Sequence, residues 1–217
     1  MFWKTMKVLV ACEFSGVVRD AFRAKGADAY SCDLLPSDRD NKYHIQDDVS
    51  NHLRAGWDLM IAHPPCTYLA RSGARWWAGR RLEQARALDF VSTLLTAPIP
   101  HIALENPIGR ISTKIRKPDQ IIQPWMFGHG ETKATCLWLK NLPTLIPTNI
   151  VEGRRPYVHY MSPSEDRWKK RSVTYQGIAE AMADQWYDFI RRKREEAKED
   201  AERCDQERLA LYEVSST

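Results

Sequence analysis

The chain has no closely spaced pair of cysteines. Its five, Cys12, Cys32, Cys66, Cys136 and Cys204, show no CxxC pair and no metal-ligand spacing, so neither a disulfide framework nor a cysteine-held metal is expected. Four of them lie in or beside apolar runs, which fits reduced thiols in a cytoplasmic compartment. No apolar run approaches the length needed to cross a bilayer, and no membrane partner is expected. Met1 to Met6 lead straight into a strand pattern without signal-peptide architecture. Glycine is scarce: 10 in 217 residues, with a single one in the first turn, so the glycine signature of a phosphate-binding loop is weak. No internal repeat is visible.

What is present suits one globular domain. Hydrophobic residues make up 43% and charged residues 28%, enough for a sizeable core. The net charge is +4, but the tail from Arg191 holds seven basic and eight acidic residues, so the positive excess belongs to the body. It gathers in three places: Arg71, Arg75, Arg80, Arg81 and Arg86; Arg110, Lys114, Arg116 and Lys117; and Arg167, Lys169, Lys170 and Arg171. Each cluster alone fits a solvated face. Three of them in loops flanking one site favour a polyanionic substrate.

The hydrophobic pattern alternates strand and helix. Lys7 to Cys12 reads as a buried strand and Glu13 to Gly16 as a turn. Val17 to Lys25 reads as a helix with Val18, Ala21 and Phe22 on one face, and Ala27 to Cys32 as a second strand ending at Asp33. A short helix ends near Gly56, and Asp58 to Ala62 is a third strand. A helix follows from about Arg81 to Leu95, with Leu82, Ala85, Leu88 and Val91 inward. His101 to Leu104 is a fourth strand, ending in Glu105-Asn106-Pro107, and Thr135 to Leu139 is a further one. Residues 141–171 are rich in proline and charge and have no period. From Gly177 a helix carries the apolar stripe Ile178, Ala181, Met182, Trp186, Phe189 and Ile190. The expectation is an α/β domain over 1–190 and a charged, solvated helical tail over 191–217.

Residues 57–73 stand at the centre of this pattern. Leu59-Met60-Ile61-Ala62 is short and apolar, and Pro64-Pro65 stops it because proline cannot donate to a sheet ladder. Cys66 is thereby delivered to the carboxyl end of a central strand, where open α/β sheets hold their ligands. Asp33 and Glu105 stand at other strand ends. A thiolate can add to an electrophilic ring carbon while a neighbouring carboxyl group protonates or hydrogen-bonds a ring nitrogen.

These residues resemble the DNA (cytosine-5) methyltransferases, particularly small phage-type members. Ala62-His63-Pro64-Pro65-Cys66-Thr67-Tyr68-Leu69-Ala70-Arg71-Ser72-Gly73 is similar to the family's catalytic loop, and Glu105-Asn106-Pro107 to its Glu-Asn-Val motif. Phe14-Ser15-Gly16 resembles its cofactor loop, Asp33 its ribose-binding acid, Asp48 its adenine-contacting acid, and Gly177 with the following helix its last motif. The resemblance implies a Rossmann-like class I methyltransferase fold, with a mixed, mostly parallel sheet flanked by helices. It also implies S-adenosylmethionine as cofactor, across Phe14, Ser15, Gly16, Asp33, Asp48 and Pro64. Cys66 would add to C6 of cytosine, Glu105 would assist at N3, and Lys133 would supply a cation. Arg71, Ser72, Arg75, Arg80 and Arg81 would contact DNA. A phage-encoded chain of this kind would work in the bacterial host cytoplasm.

The sequence also departs from the family. Thr67 stands where the family has Gln, and Glu131-Thr132-Lys133-Ala134-Thr135 where it has Gln-x-Arg-x-Arg. Lys133 replaces one arginine as a charge but not as a bidentate fork. No large target-recognition domain fits into residues 141–171. Two other readings therefore stand beside the first: a non-catalytic DNA-binding or decoy protein that keeps the fold, and an amino-methyltransferase, whose Asp/Asn-Pro-Pro-Tyr motif is echoed by His63 to Cys66. Asp33 and Asp48 also fit ordinary turn and cap acids, Trp76 and Trp77 fit packing as well as base stacking, and His63 reads as a structural loop residue.

Overall fold

Alternate residues of the first strand part to opposite sides of a sheet, and both sides are apolar. Val8 and Val10 face one core and Leu9 and Ala11 the other; Leu59 and Ile61, against Met60 and Ala62, repeat the division. A strand buried on both faces needs cover on both faces, which is the condition of a parallel sheet flanked by helices. The computed structural model describes residues 5–215, with side chains through 208. Its strands are β1 (Lys7–Ala11), β2 (Asp28–Asp33), β3 (His44–Gln46), β4 (Leu59–Ala62), β5 (His101–Pro107), β6 (Gln120–Ile122) and β7 (Thr135–Lys140). They lie in the order β3-β2-β1-β4-β5-β7-β6. The first five are parallel, and β7 runs antiparallel to both β5 and β6. This is the Rossmann-like, mostly parallel α/β fold expected from the sequence.

The helices are α1 (Val17–Ala24), α2 (Arg81–Leu95), α3 (Ile111–Lys114), α4 (Tyr157–Tyr160), α5 (Arg167–Ser172) and α6 (Gln176–Ser215). Val18 and Phe22 of α1 and Met182 and Trp186 of α6 cover one face. Val91 and Leu94 of α2 cover the other, with Val49, Leu53 and Trp57. The chain changes faces between β1 and β4, so a crevice opens beyond their carboxyl ends.

Three sequence expectations change here. Leu82 and Ala85 do not point inward: Leu82 is 61% exposed, and Gln84 is the buried residue of that turn. The helix is rotated so that Gln84 Nε2 donates to the Tyr68 carbonyl at 3.0 Å, satisfying a loop acceptor that an apolar side chain would leave bare. The fourth strand continues through Glu105 to Pro107, because β7 pairs with it as far as Pro107↔Thr135. Strands β3 and β6, of three residues each, are too short to show a hydrophobic period.

Helix α6 begins against the 127–129 loop. A Cβ at Gly177 would stand 2.0 Å from the Phe127 carbonyl oxygen, so only glycine permits that approach. The Gly177 N–H donates to His129 Nε2 at 3.0 Å, which gives His129 a structural role. Further along, Trp186 Nε1 donates to the Pro143 carbonyl at 2.9 Å, and the Arg194 guanidinium meets Asp58 at 2.5 Å. Residues 196–208 are exposed on every side. Trp186→Ala should therefore cost about 3–5 kcal/mol in urea denaturation, whereas ending the chain after Arg194 should shift Tm by no more than about 3 °C.

Candidate active site

Register builds the site. Ala11 pairs with Ala62, and Ala62 with Leu104, so the next residues, Cys12, His63 and Glu105, emerge level at one edge of the sheet. Ile61 and Ala103 face the α1–α6 side and Ala62 and Leu104 the α2 side. By strict alternation His63 and Glu105 both turn to the α1–α6 side. They meet there: His63 Nδ1 lies 3.1 Å from Glu105 Oε2. Among the described residues, the other imidazole nitrogen, Nε2, is buried without a hydrogen-bond partner. Asn106 turns the opposite way and its Nδ2 donates to the Pro64 carbonyl at 2.7 Å, pinning the Pro-Pro turn to the end of β5.

The Cys66 loop is fastened a second time. Arg71 N donates to the Ile108 carbonyl at 2.9 Å and Arg110 N to the Leu69 carbonyl at 2.8 Å. A Cβ on Gly109 would stand 2.0 Å from the Leu69 carbonyl oxygen. Cys66 lies between these anchors, in a cleft also lined by Phe14, Ser15, Pro64, Glu105, Lys133 and Arg171. The turn after β1, the turn after β4 and the ends of β5 and β7 thus share one space. Chemically it offers a thiol, a carboxylate and a cation around an opening beside aromatic Phe14.

The charges oppose one another. Desolvation by the cleft walls, and then the Glu105 carboxylate, push the Cys66 thiol above its ordinary value, and Lys133 and Arg171 offset this only in part. Burial raises the Glu105 carboxyl, but His63, and then Lys133 and Thr135, outweigh it and hold Glu105 below the usual carboxylate range. Lys133 Nζ is itself held by the Arg171 carbonyl at 2.8 Å, a fixed point charge beside the cleft.

The remaining sequence candidates fall around this cleft. Phe14, Ser15 and Pro64 line it. Asp33 and Asp48 do not; they flank its β2 side, where both help to raise the half-buried Cys12 thiol, after desolvation as the leading cause. Each is partly engaged, since Asp33 Oδ1 accepts from Leu35 N at 3.0 Å and Asp48 Oδ1 from Ser50 N at 2.8 Å. Gly16, at φ +68°, caps α1, and a Cβ there would meet the Arg19 guanidinium at 2.6 Å. Arg71, Ser72, Arg75 and Arg80 lie exposed on or beside a 3₁₀ stretch over Arg71–Gly79, and Arg81 opens α2.

Three residues escaped the sequence reading. His63, taken for a loop residue, faces Glu105. Glu13 is buried and its carboxylate accepts from Val18 N at 2.7 Å and Arg19 N at 3.1 Å, filling the positive end of α1; an acid five residues before a helical N–H was the available signal. Trp168 of α5 packs over Phe14 with ring centroids 6.0 Å apart, and nothing in the sequence of 141–171 signals that contact.

No protein-family model matches the chain, and no curated protein does. Among solved structures, the Entamoeba histolytica methyltransferase EhMeth is similar with a TM-score of 0.45 and 11% identity, over 75% of this chain and 61% of that one. A mutant of Spodoptera frugiperda DNMT2 is similar with a TM-score of 0.41 and 13% identity, over 70% and 55%. The chain thus spans less than two thirds of either structure's length. Gly109→Ala should push the Leu69 carbonyl aside and cost about 1–3 kcal/mol in thermal denaturation, with the Cys66 loop displaced.

Proposed function

We propose that this protein is an S-adenosylmethionine-dependent methyltransferase that modifies C5 of cytosine in DNA through a covalent cysteine adduct. One observation carries the reading: Cys66, in the turn after β4, and Glu105, late in the adjacent parallel strand β5, line a single cleft that reaches the Phe14–Ser15 turn after β1. The motif resemblance of those same residues to the cytosine-5 methyltransferases supports it.

The residues around the crevice fit the cofactor. Aromatic Phe14 and Trp168 suit a purine ring, and the Asp33 and Asp48 carboxylates suit hydroxyl and amine donors. Bound S-adenosylmethionine would supply an electrophilic methyl group. The chain's own residues do the rest. The Cys66 Sγ forms a bond to C6 of the cytosine and the C5–C6 double bond opens, making C5 nucleophilic. Glu105, oriented by His63, would hydrogen-bond the N3 and amino edge and carry the proton that reaches N3 as the incoming thiolate makes the ring negative. Once C5 carries the methyl group, its proton passes to solvent water, the C5–C6 double bond re-forms, the Sγ–C6 electron pair returns to sulfur and the N3 proton returns to Glu105, which restores the thiolate. A base in a duplex must leave its stack to reach Cys66.

A second reading has its own observation. Trp168 covers Phe14, and Glu131, where the family has Gln, is buried, with Oε1 accepting from Val158 N at 3.3 Å. A decoy that keeps the fold without binding cofactor would tolerate both. Calorimetric titration with S-adenosylmethionine separates them, because only the enzyme must bind it. The amino-methyltransferase reading loses ground, since His63, at the position of that motif's Asp or Asn, is paired with Glu105.

DNA containing 5-fluorocytosine should trap a covalent adduct when cofactor is present, because fluorine cannot leave C5 as a proton does. Cys66→Ser should abolish it, and an adduct surviving that change would refute the assignment. Glu105→Gln should slow transfer roughly 100-fold or more with cofactor affinity nearly unchanged. Because the thiol is raised, the thiolate fraction grows with pH, and the transfer rate should climb above neutrality while the protein stays folded.

A further inference from the structure

A second cleft opens directly beside Cys66. Its walls are Tyr68, Trp76, Trp77 and Arg80, with Thr67 and Gly73 at the edge next to the thiol. Trp76 is 61% exposed, a large apolar ring turned to solvent. Guanidinium groups accompany the rings: Arg75 stands 5.0 Å from the Trp76 centroid, Arg80 5.6 Å from that of Tyr68, and Arg110 4.2 Å from that of Trp77. Packing does not account for this arrangement, since the rings line an open cleft rather than a core.

We propose that this cleft is a base-stacking subsite for single-stranded nucleic acid, holding a nucleotide adjacent to the one that reaches Cys66. A planar base suits an aromatic wall edged with cations, and the neighbouring phosphates suit the exposed Arg71, Arg75 and Arg80. In a duplex the base faces are covered by their neighbours, so only an unstacked strand offers them to Trp76. The idea deepens the cytosine reading by fixing the strand state of the substrate, and it rests on that reading only for what happens at Cys66.

The test leaves catalysis out. Fluorescence anisotropy would compare a labelled oligothymidylate, an A·T hairpin duplex of equal length and the oligouridylate, all without cofactor. The single strands should bind more tightly than the hairpin, and the deoxyribose and ribose arms report which sugar is preferred. Trp76→Ala should weaken single-strand binding roughly 5- to 100-fold and leave the hairpin nearly unaffected, while Trp76→Phe should retain most of the affinity. Circular dichroism of each variant checks that the exposed loop change leaves the fold intact. A hairpin bound as tightly as the strands, an unchanged Trp76→Ala variant, or equal losses on strand and duplex would each overturn the proposal. Because the probes contain no cytosine, Trp76-dependent binding without the fluorocytosine adduct would refute only the catalytic reading.

Discussion

The level pairing of Ala11, Ala62 and Leu104 is the constraint on which the rest of the site depends. It fixes how far each strand runs before its chain turns away, and therefore which residues stand at the common edge. A slip of one residue between β4 and β5 would turn His63 and Glu105 to opposite faces. It would also carry the Asn106 amide away from the Pro64 carbonyl. The apolar alternation of Leu59 to Ala62 against both cores makes such a slip costly, because every side chain of the strand would enter the wrong layer. Core packing thus sets the geometry of polar groups that contribute little to the core themselves.

Within that frame the electrostatics are a standoff. An ionised Glu105 discourages ionisation of the thiol beside it. Lys133 acts on both as a single charge, tethered through the Arg171 backbone rather than through a forked side chain. The result is a thiol held above its ordinary value. His63 settles the other half, because it holds the carboxylate in place without joining the charges that act on Cys66.

How much of this was legible depended on periodicity and on chain order. The Cys66 strand, the α1 face through Val18 and Phe22, and the stripe of α6 follow from apolar spacing, and the structure places them where the spacing does. The convergence of Cys66 and Glu105 required only that two strands lie side by side in parallel. The rotation of α2 was not legible, since a buried Gln84 answers a loop carbonyl that no pattern in its own helix reveals. Arg19 is likewise almost wholly buried, bonded to Ser31 Oγ and the Asp40 carbonyl at 3.2 Å each, where a helical wheel puts a charge outside. The His63–Glu105 contact spans 42 positions of sequence, and contacts of that range between polar groups leave no local trace.

Helix α6 also decides when the molecule can finish folding. The face of the sheet that carries Val8, Val10 and Ile61 receives its cover from Met182 and Trp186, residues made long after the strands they shield. During synthesis that apolar face must wait for α6, with α1 as its partial guard. Closure across so long a stretch is entropically slow. The growing polypeptide is therefore most exposed to misassembly just before α6 docks, and in that interval a chaperone has a defined surface to hold.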